Sequence, residues 1–152
     1  MFGEAGHSYV YFTYGAHYCL NVTTEAVGSP GAVLIRALEP IRGIKLMMKN
    51  RGIDGVTNTT NGPGKLTQAF KIDRNLNGED LVTSKVLYLT ECMESLTVKV
   101  SRRIGISRGV ERKWRFYADD NPFVSKAKLP DFTGDESITT TPGEARAHGV
   151  VG

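Results

Sequence analysis

The chain has 152 residues, enough for one domain that buries a core without disulfide or metal staples. Hydrophobic residues make up 40% and charged residues 23%, the balance of a globular protein. No apolar run reaches the ~20 residues that span a bilayer, and the opening MFGEAGHSYVYF has neither the basic start nor the clean apolar stretch of a secretion signal.

Cys19 and Cys92 lie far apart and match no metal-ligand spacing. That argues against a disulfide framework or zinc site, and for free, mostly buried thiols in a reducing, intracellular compartment. Lys and Arg total 19 against 16 Asp and Glu, a net charge of +3. A mildly basic chain permits a nucleic-acid partner without demanding one. The charge is uneven: residues 99–115 hold Lys99, Arg102, Arg103, Arg108, Arg112, Lys113 and Arg115 against Glu111 alone. Such a run is ordinarily a solvated face, and phosphate contacts are the further reading.

Residues 8–14 (SYVYFTY) read as a strand with Tyr9, Tyr11 and Thr13 on one face and Val10, Phe12 and Tyr14 on the other. A tight hairpin is expected at Gly15-Ala16-His17, returning through a strand at 18–24. After the turn around Gly28-Ser29-Pro30-Gly31, residues 32–38 (AVLIRAL) form a third strand with one charge inside it, Arg36. Pro40 is expected to open a helix over 41–50. A Gly/Thr/Asn loop over 51–61 then leads through Gly62-Pro63-Gly64 into a second short helix, 65–71. Strands are expected at 85–90, 96–100 and 115–117. From about Leu129 the chain turns polar, so the organisation expected is a domain over 1–128 and a flexible tail over 129–152. The fold class is α+β, a single mixed domain dominated by antiparallel strands.

Several residues carry alternatives at this level. Tyr14 either caps the hairpin or projects a ring from it. Tyr11 is either a buried tyrosine with a satisfied hydroxyl or a binding surface; Tyr9, on the same face, is expected in the core. Asn21, polar within an apolar strand, either satisfies a neighbouring backbone group or reads a ligand. Arg36, if buried, must be paired or hydrogen-bonded, and the plain alternative is a structural ion pair with Glu39 or another acid. Gly62-Pro63-Gly64-Lys65 is either an ordinary turn or a phosphate-facing helix start. It is not a P-loop, since the GxxxxGK[ST] pattern is absent.

The blocks SYVYFTYGAHYCLNV, AVLIRALEP, GPGKLTQAF, RIGI, RFY and NPFVS, in that order over residues 1–126, resemble the alkyladenine (3-methyladenine) DNA glycosylases of the mammalian type. The resemblance implies a curved antiparallel sheet with a protruding β-hairpin and a few short helices. It also implies hydrolytic removal of alkylated or deaminated purines from duplex DNA, without metal or cofactor. The protein would act as a monomer, away from membranes, in the cytoplasm or nucleoid of a prokaryote or the nucleus of a eukaryote. By the same resemblance Tyr14 is the wedge that enters the base stack, with Ala16 and His17 beside it on the DNA. Tyr11, Asn21 and Leu34 line the base pocket, Arg36 helps position the attacking water, and Lys65 meets the DNA backbone.

The family's general base is a glutamate upstream of the hairpin, in a segment that also supplies a tyrosine and a histidine to the pocket. Met1 stands ten residues before Tyr11, and neither Glu4 nor Glu39 matches the position of that base. The expectation is a chain that recognises the base but excises it poorly. An internal start within a longer gene, a binding protein without chemistry, and a substitute acid all remain open. The competing function is a non-catalytic nucleic-acid-binding module.

Overall fold

The structure, a computed structural model, describes residues 1–91, 95–125, 136–140 and 148–150. It is a mixed α+β fold whose strands all pair antiparallel. β1 (Ser8–Thr13), β2 (His17–Thr23) and β3 (Ala32–Leu34) form one sheet in that order. Two helices follow, α1 (Ile44–Arg51) and α2 (Pro63–Ala69), and a 3-10 turn at Arg74–Leu76. β4 (Tyr88–Thr90) pairs with β8 (His148–Val150). β5 (Leu96–Ser101) lies between β6 (Arg115–Ala118) and β7 (Glu136–Thr140).

The period-two pattern of β1 and β2 decides which face is inside. Val10 and Leu20 sit directly opposite each other and join Leu66 of α2 with Ile72, Leu81 and Leu87 in one buried cluster. Leu66 is completely buried, so Leu66→Ala would cost on the order of 2–5 kcal/mol. α2 is locked to β2 by the Thr67 hydroxyl, which donates to the Tyr18 carbonyl at 3.0 Å. The outer edge of β1 is covered near its start: Val10 N–H donates to Asn77 Oδ1 at 2.9 Å, and Gly78 N–H to the Ser8 carbonyl at 2.9 Å. Beyond Val10 that cover ends, and the hairpin tip extends from the packed body.

Several boundaries differ from the sequence expectation. β3 stops at Leu34, not 38: Ile35 still donates to the Leu20 carbonyl, and then the chain leaves the sheet and Leu38 N–H turns to the Thr60 carbonyl. Pro40 does not open a helix. It is buried in the approach to α1, which starts at Ile44 behind Gly43, whose φ of 70° stops the helix from extending backwards. Pro63 instead takes the first position of α2, two residues earlier than expected. β7 and β8 lie within the stretch expected as a polar tail, and the rest of 126–152 lies outside the described residues. Cys19 is a free, buried thiol; Cys92 falls outside the described residues.

Candidate functional site

The face of the β1–β2–β3 sheet opposite the core cluster is set by register. Tyr9 opposes Asn21, Tyr11 opposes Cys19, Thr13 opposes His17, and Asn21 opposes Leu34. Directly opposed residues project to the same side. Tyr11, Asn21 and Leu34, expected together as base-pocket residues, therefore share one face. Cys19 and Tyr9 share it too. Cys19 was not singled out as a site residue, although its period-two spacing from Asn21 was the available signal. Tyr9 is not a core residue: alternation gives the inward position to Val10, and Tyr9 lies half-buried with its ring 5.2 Å from that of Tyr11, tilted by 33°.

Tyr11 is 38% exposed, and it stands directly opposite Cys19 in the strand pair. Burial, and then the neighbouring thiol, push the Tyr11 phenol above its ordinary value; burial also raises the Cys19 thiol. Both groups are therefore neutral near pH 7, so the ring presents an uncharged, electron-rich surface. Asn21 is buried, and its Nδ2 donates to the Tyr9 carbonyl across the strand pair at 2.9 Å. The local backbone contact weighed from sequence is thus present, and it fixes the amide on the same face as Tyr11.

Arg36 lies beyond the end of β3, close enough to Cys19 and Arg115 to feel both electrostatically. Burial lowers its pKa first, the Arg115 guanidinium lowers it further, and Cys19 opposes them; an arginine remains charged nonetheless. Its Nε is buried without a hydrogen-bond partner. The alternative weighed for Arg36, an ion pair with Glu39, does not form: Glu39 Oε2 accepts instead from Asn121 Nδ2 at 2.7 Å. Among the described residues no carboxylate forms an ion pair with Arg36. Beside the aromatic face lies a partly buried cation with no compensating anion among the described residues.

The hairpin tip is Tyr14-Gly15-Ala16, and His17 begins β2. Tyr14 and Gly15 have φ of 53° and 63°, and Ala16 N–H closes the turn on the Thr13 carbonyl at 3.1 Å. Two successive positive φ values characterise a primed hairpin turn, whose twist matches that of the strands. Tyr14 is 89% exposed, with its ring 6.4 Å from that of His17. His17 in turn lies against Gly64 of α2, where an added Cβ would stand 2.5 Å from its ring. Lys65 is next along α2. Its Nζ donates to Asn61 Oδ1 at 2.7 Å, so it is tethered by a neutral amide. The structure thus brings Tyr14, Ala16, His17 and the Gly64-Lys65 turn to one end of the hairpin.

The basic run divides into structural and exposed parts. Arg115 is buried, donating to Ser101 Oγ at 2.9 Å and to the Ser125 carbonyl at 3.0 Å, and Lys99 pairs with Asp119 at 2.8 Å. Arg102, Arg108 and Arg112 are exposed. Among the described residues no group of three or more His, Cys, Asp or Glu is placed to hold a metal ion, and no helix is long and apolar enough to cross a membrane.

Residues 1–122 match the family model described as methylpurine-DNA glycosylase. The chain is 50% identical over 128 residues to a protein of Carboxydothermus hydrogenoformans named "Putative 3-methyladenine DNA glycosylase", covering 83% of this chain and 67% of that one. It is 52% identical over 129 residues to a protein of the same name from Prosthecochloris aestuarii, covering 84% and 62%. A third of that name, from Desulfitobacterium hafniense, is 46% identical over 136 residues, covering 82% and 67%. The chain therefore spans 62% of one of these relatives and 67% of the other two.

Proposed function

This chain belongs to the methylpurine-DNA glycosylase family, and from that membership we propose that it draws alkylated or deaminated purines out of duplex DNA for hydrolysis of the N-glycosidic bond. The observation that carries the reading is the register that sets Tyr11, Asn21 and Leu34 on one face of the hairpin whose tip exposes Tyr14.

Extruding a nucleotide costs a few kcal/mol of stacking and pairing. An aromatic ring entering the gap returns about 1–3 kcal/mol, and the 89% exposure of Tyr14 at the hairpin tip supports that role for it. The neutral Tyr11 ring suits a cationic alkylated purine through cation–π attraction. Asn21, held by the Tyr9 carbonyl, gives the face a fixed polar edge that can clash with the exocyclic amino group of guanine. Arg36 is a poor neighbour for a cationic base but a good one for the anionic backbone and for the attacking water, and we assign it those contacts. Hydrolysis needs only water as co-reactant, so the reading invokes no cofactor. It has the chain acting as a monomer inside the cell.

The test is competition binding at fixed salt between duplexes with and without a single hypoxanthine. Preference for the lesion duplex by about tenfold or more, lost in Tyr14→Ala, is the expected result. Equal affinity for the two duplexes, unaffected by Tyr14→Ala, would instead identify a binding module that does not read lesions.

A further inference from the structure

Across from the hairpin tip stands a loop that the base-binding face does not use. Gly105, Ile106, Ser107 and Arg108 form one wall of a surface groove, and Tyr14 forms the other. At its inner end the loop passes Arg36: a Cβ on Gly105 would lie 3.6 Å from an Arg36 Nη atom. The loop that walls the groove therefore faces the exposed ring of the tip and, at Gly105, lies against Arg36.

The loop is held in shape from behind. Arg103 donates through one Nη to the carbonyls of Gly109 at 3.0 Å and Arg108 at 3.3 Å. Its guanidinium also lies over the Trp114 ring at 5.2 Å, and that of Arg112 lies over the same ring at 4.4 Å. Trp114 is 57% exposed, so a large aromatic ring is kept at the surface between two arginines. A core would bury it; here it braces a loop. The one acid in the run, Glu111, faces Arg112 at 3.8 Å. Among the described residues no carboxylate pairs with Arg108, which is exposed on the groove wall.

We propose that this loop is a second DNA contact, in which Arg108 binds a backbone phosphate beside the point where Tyr14 enters the duplex and Arg103, stacked on Trp114, is the residue that positions it. The inference rests on the reading that the chain binds duplex DNA. Charge complementarity selects the partner: an exposed guanidinium facing a groove, with no carboxylate partner among the described residues, suits a phosphodiester and not a neutral ligand. A contact to phosphate carries no sequence or lesion information, so it should strengthen all duplex binding equally.

The experiment is a salt titration of affinity for undamaged and hypoxanthine-containing duplexes, using the full chain. Arg108→Ala should weaken both duplexes alike, on the order of fivefold near physiological salt, and lower the slope of log affinity against log salt by about one. Lesion preference should persist. Arg103→Lys keeps the charge but loses the planar fork and the stacking, so a similar loss there reads out positioning. In the Arg108→Ala background Arg103→Lys should add nothing, which a merely structural role would not produce. Unchanged affinity and slope in both Arg108→Ala and Arg108→Glu would overturn the proposal. Because the slope is read on undamaged duplex as well, its failure is distinguishable from loss of lesion preference, which would count against the proposed function instead.

Discussion

Tyr14 combines two features that a stable fold avoids. It is a non-glycine residue at a φ of 53°, and its ring is 89% exposed. The left-handed conformation costs roughly 1–2 kcal/mol for such a residue, and the exposed ring returns almost nothing by burial. Asparagine tolerates that conformation far better. Tyr14→Asn should therefore leave stability unchanged or raise it by up to about 1 kcal/mol in chemical denaturation, while abolishing lesion preference. A clear loss of stability with preference intact would show that the ring serves the fold. Strand periodicity alone put Tyr9, Tyr11 and Thr13 on one face, whereas the grouping of Tyr11 with Asn21 and Leu34 came from the family resemblance, and the register puts the three on one face. Arg36 was legible as a charge in an apolar run, but its freedom from Glu39 was not, since Asn121, which occupies that carboxylate, lies far along the chain. Tyr9 was misplaced for a simpler reason: the two faces of β1 both carry large side chains, and only α2 packing against Val10 and Leu20 decides which is inside.

At the level of elements, the hairpin and α2 form one unit. Thr67 of α2 bonds the Tyr18 carbonyl, and Gly64 admits the His17 ring. Gly64→Ala improves helix propensity by at most about 1 kcal/mol. Against that, the new Cβ would stand 2.5 Å and 2.6 Å from two atoms of the His17 ring, which must swing away. Overpacking of this kind typically costs about 1–3 kcal/mol, so it wins. Gly64→Ala should lower the Tm and weaken duplex binding, because His17 sits beside Tyr14. A Tm equal to that of the parent chain would show that the ring moves freely and does not brace the tip. Element existence was readable along most of the chain, but element ends were not. β3 ends early because the chain after it is recruited by the segment around Thr60, a long-range contact with no local signature, and α1 starts late because Gly43 before it takes a left-handed φ. The Gly105–Arg108 wall is the same kind of case: RIGI is visible as a block, while its proximity to Tyr14 comes only from folding.

For the whole molecule, a net charge of +3 says little by itself. What matters is where charge is left uncompensated. Arg115 and Lys99 are used internally, whereas Arg108 belongs to the loop that faces the hairpin tip and Arg36 lies against that loop at Gly105. The same molecule thus offers an apolar wedge, a neutral aromatic face and two available cations at one end, opposite the buried cluster that supports them. The proposed function requires a purine to leave the stack and meet the Tyr11 face. A duplex carrying 1,N6-ethenoadenine, a fluorescent purine sensitive to stacking, reports this directly. The account predicts a change in its emission on binding that disappears in Tyr14→Ala and differs in amplitude in Tyr11→Ala. Emission identical to that of the free duplex when the chain is fully bound would show that the base stays stacked, and would contradict the account.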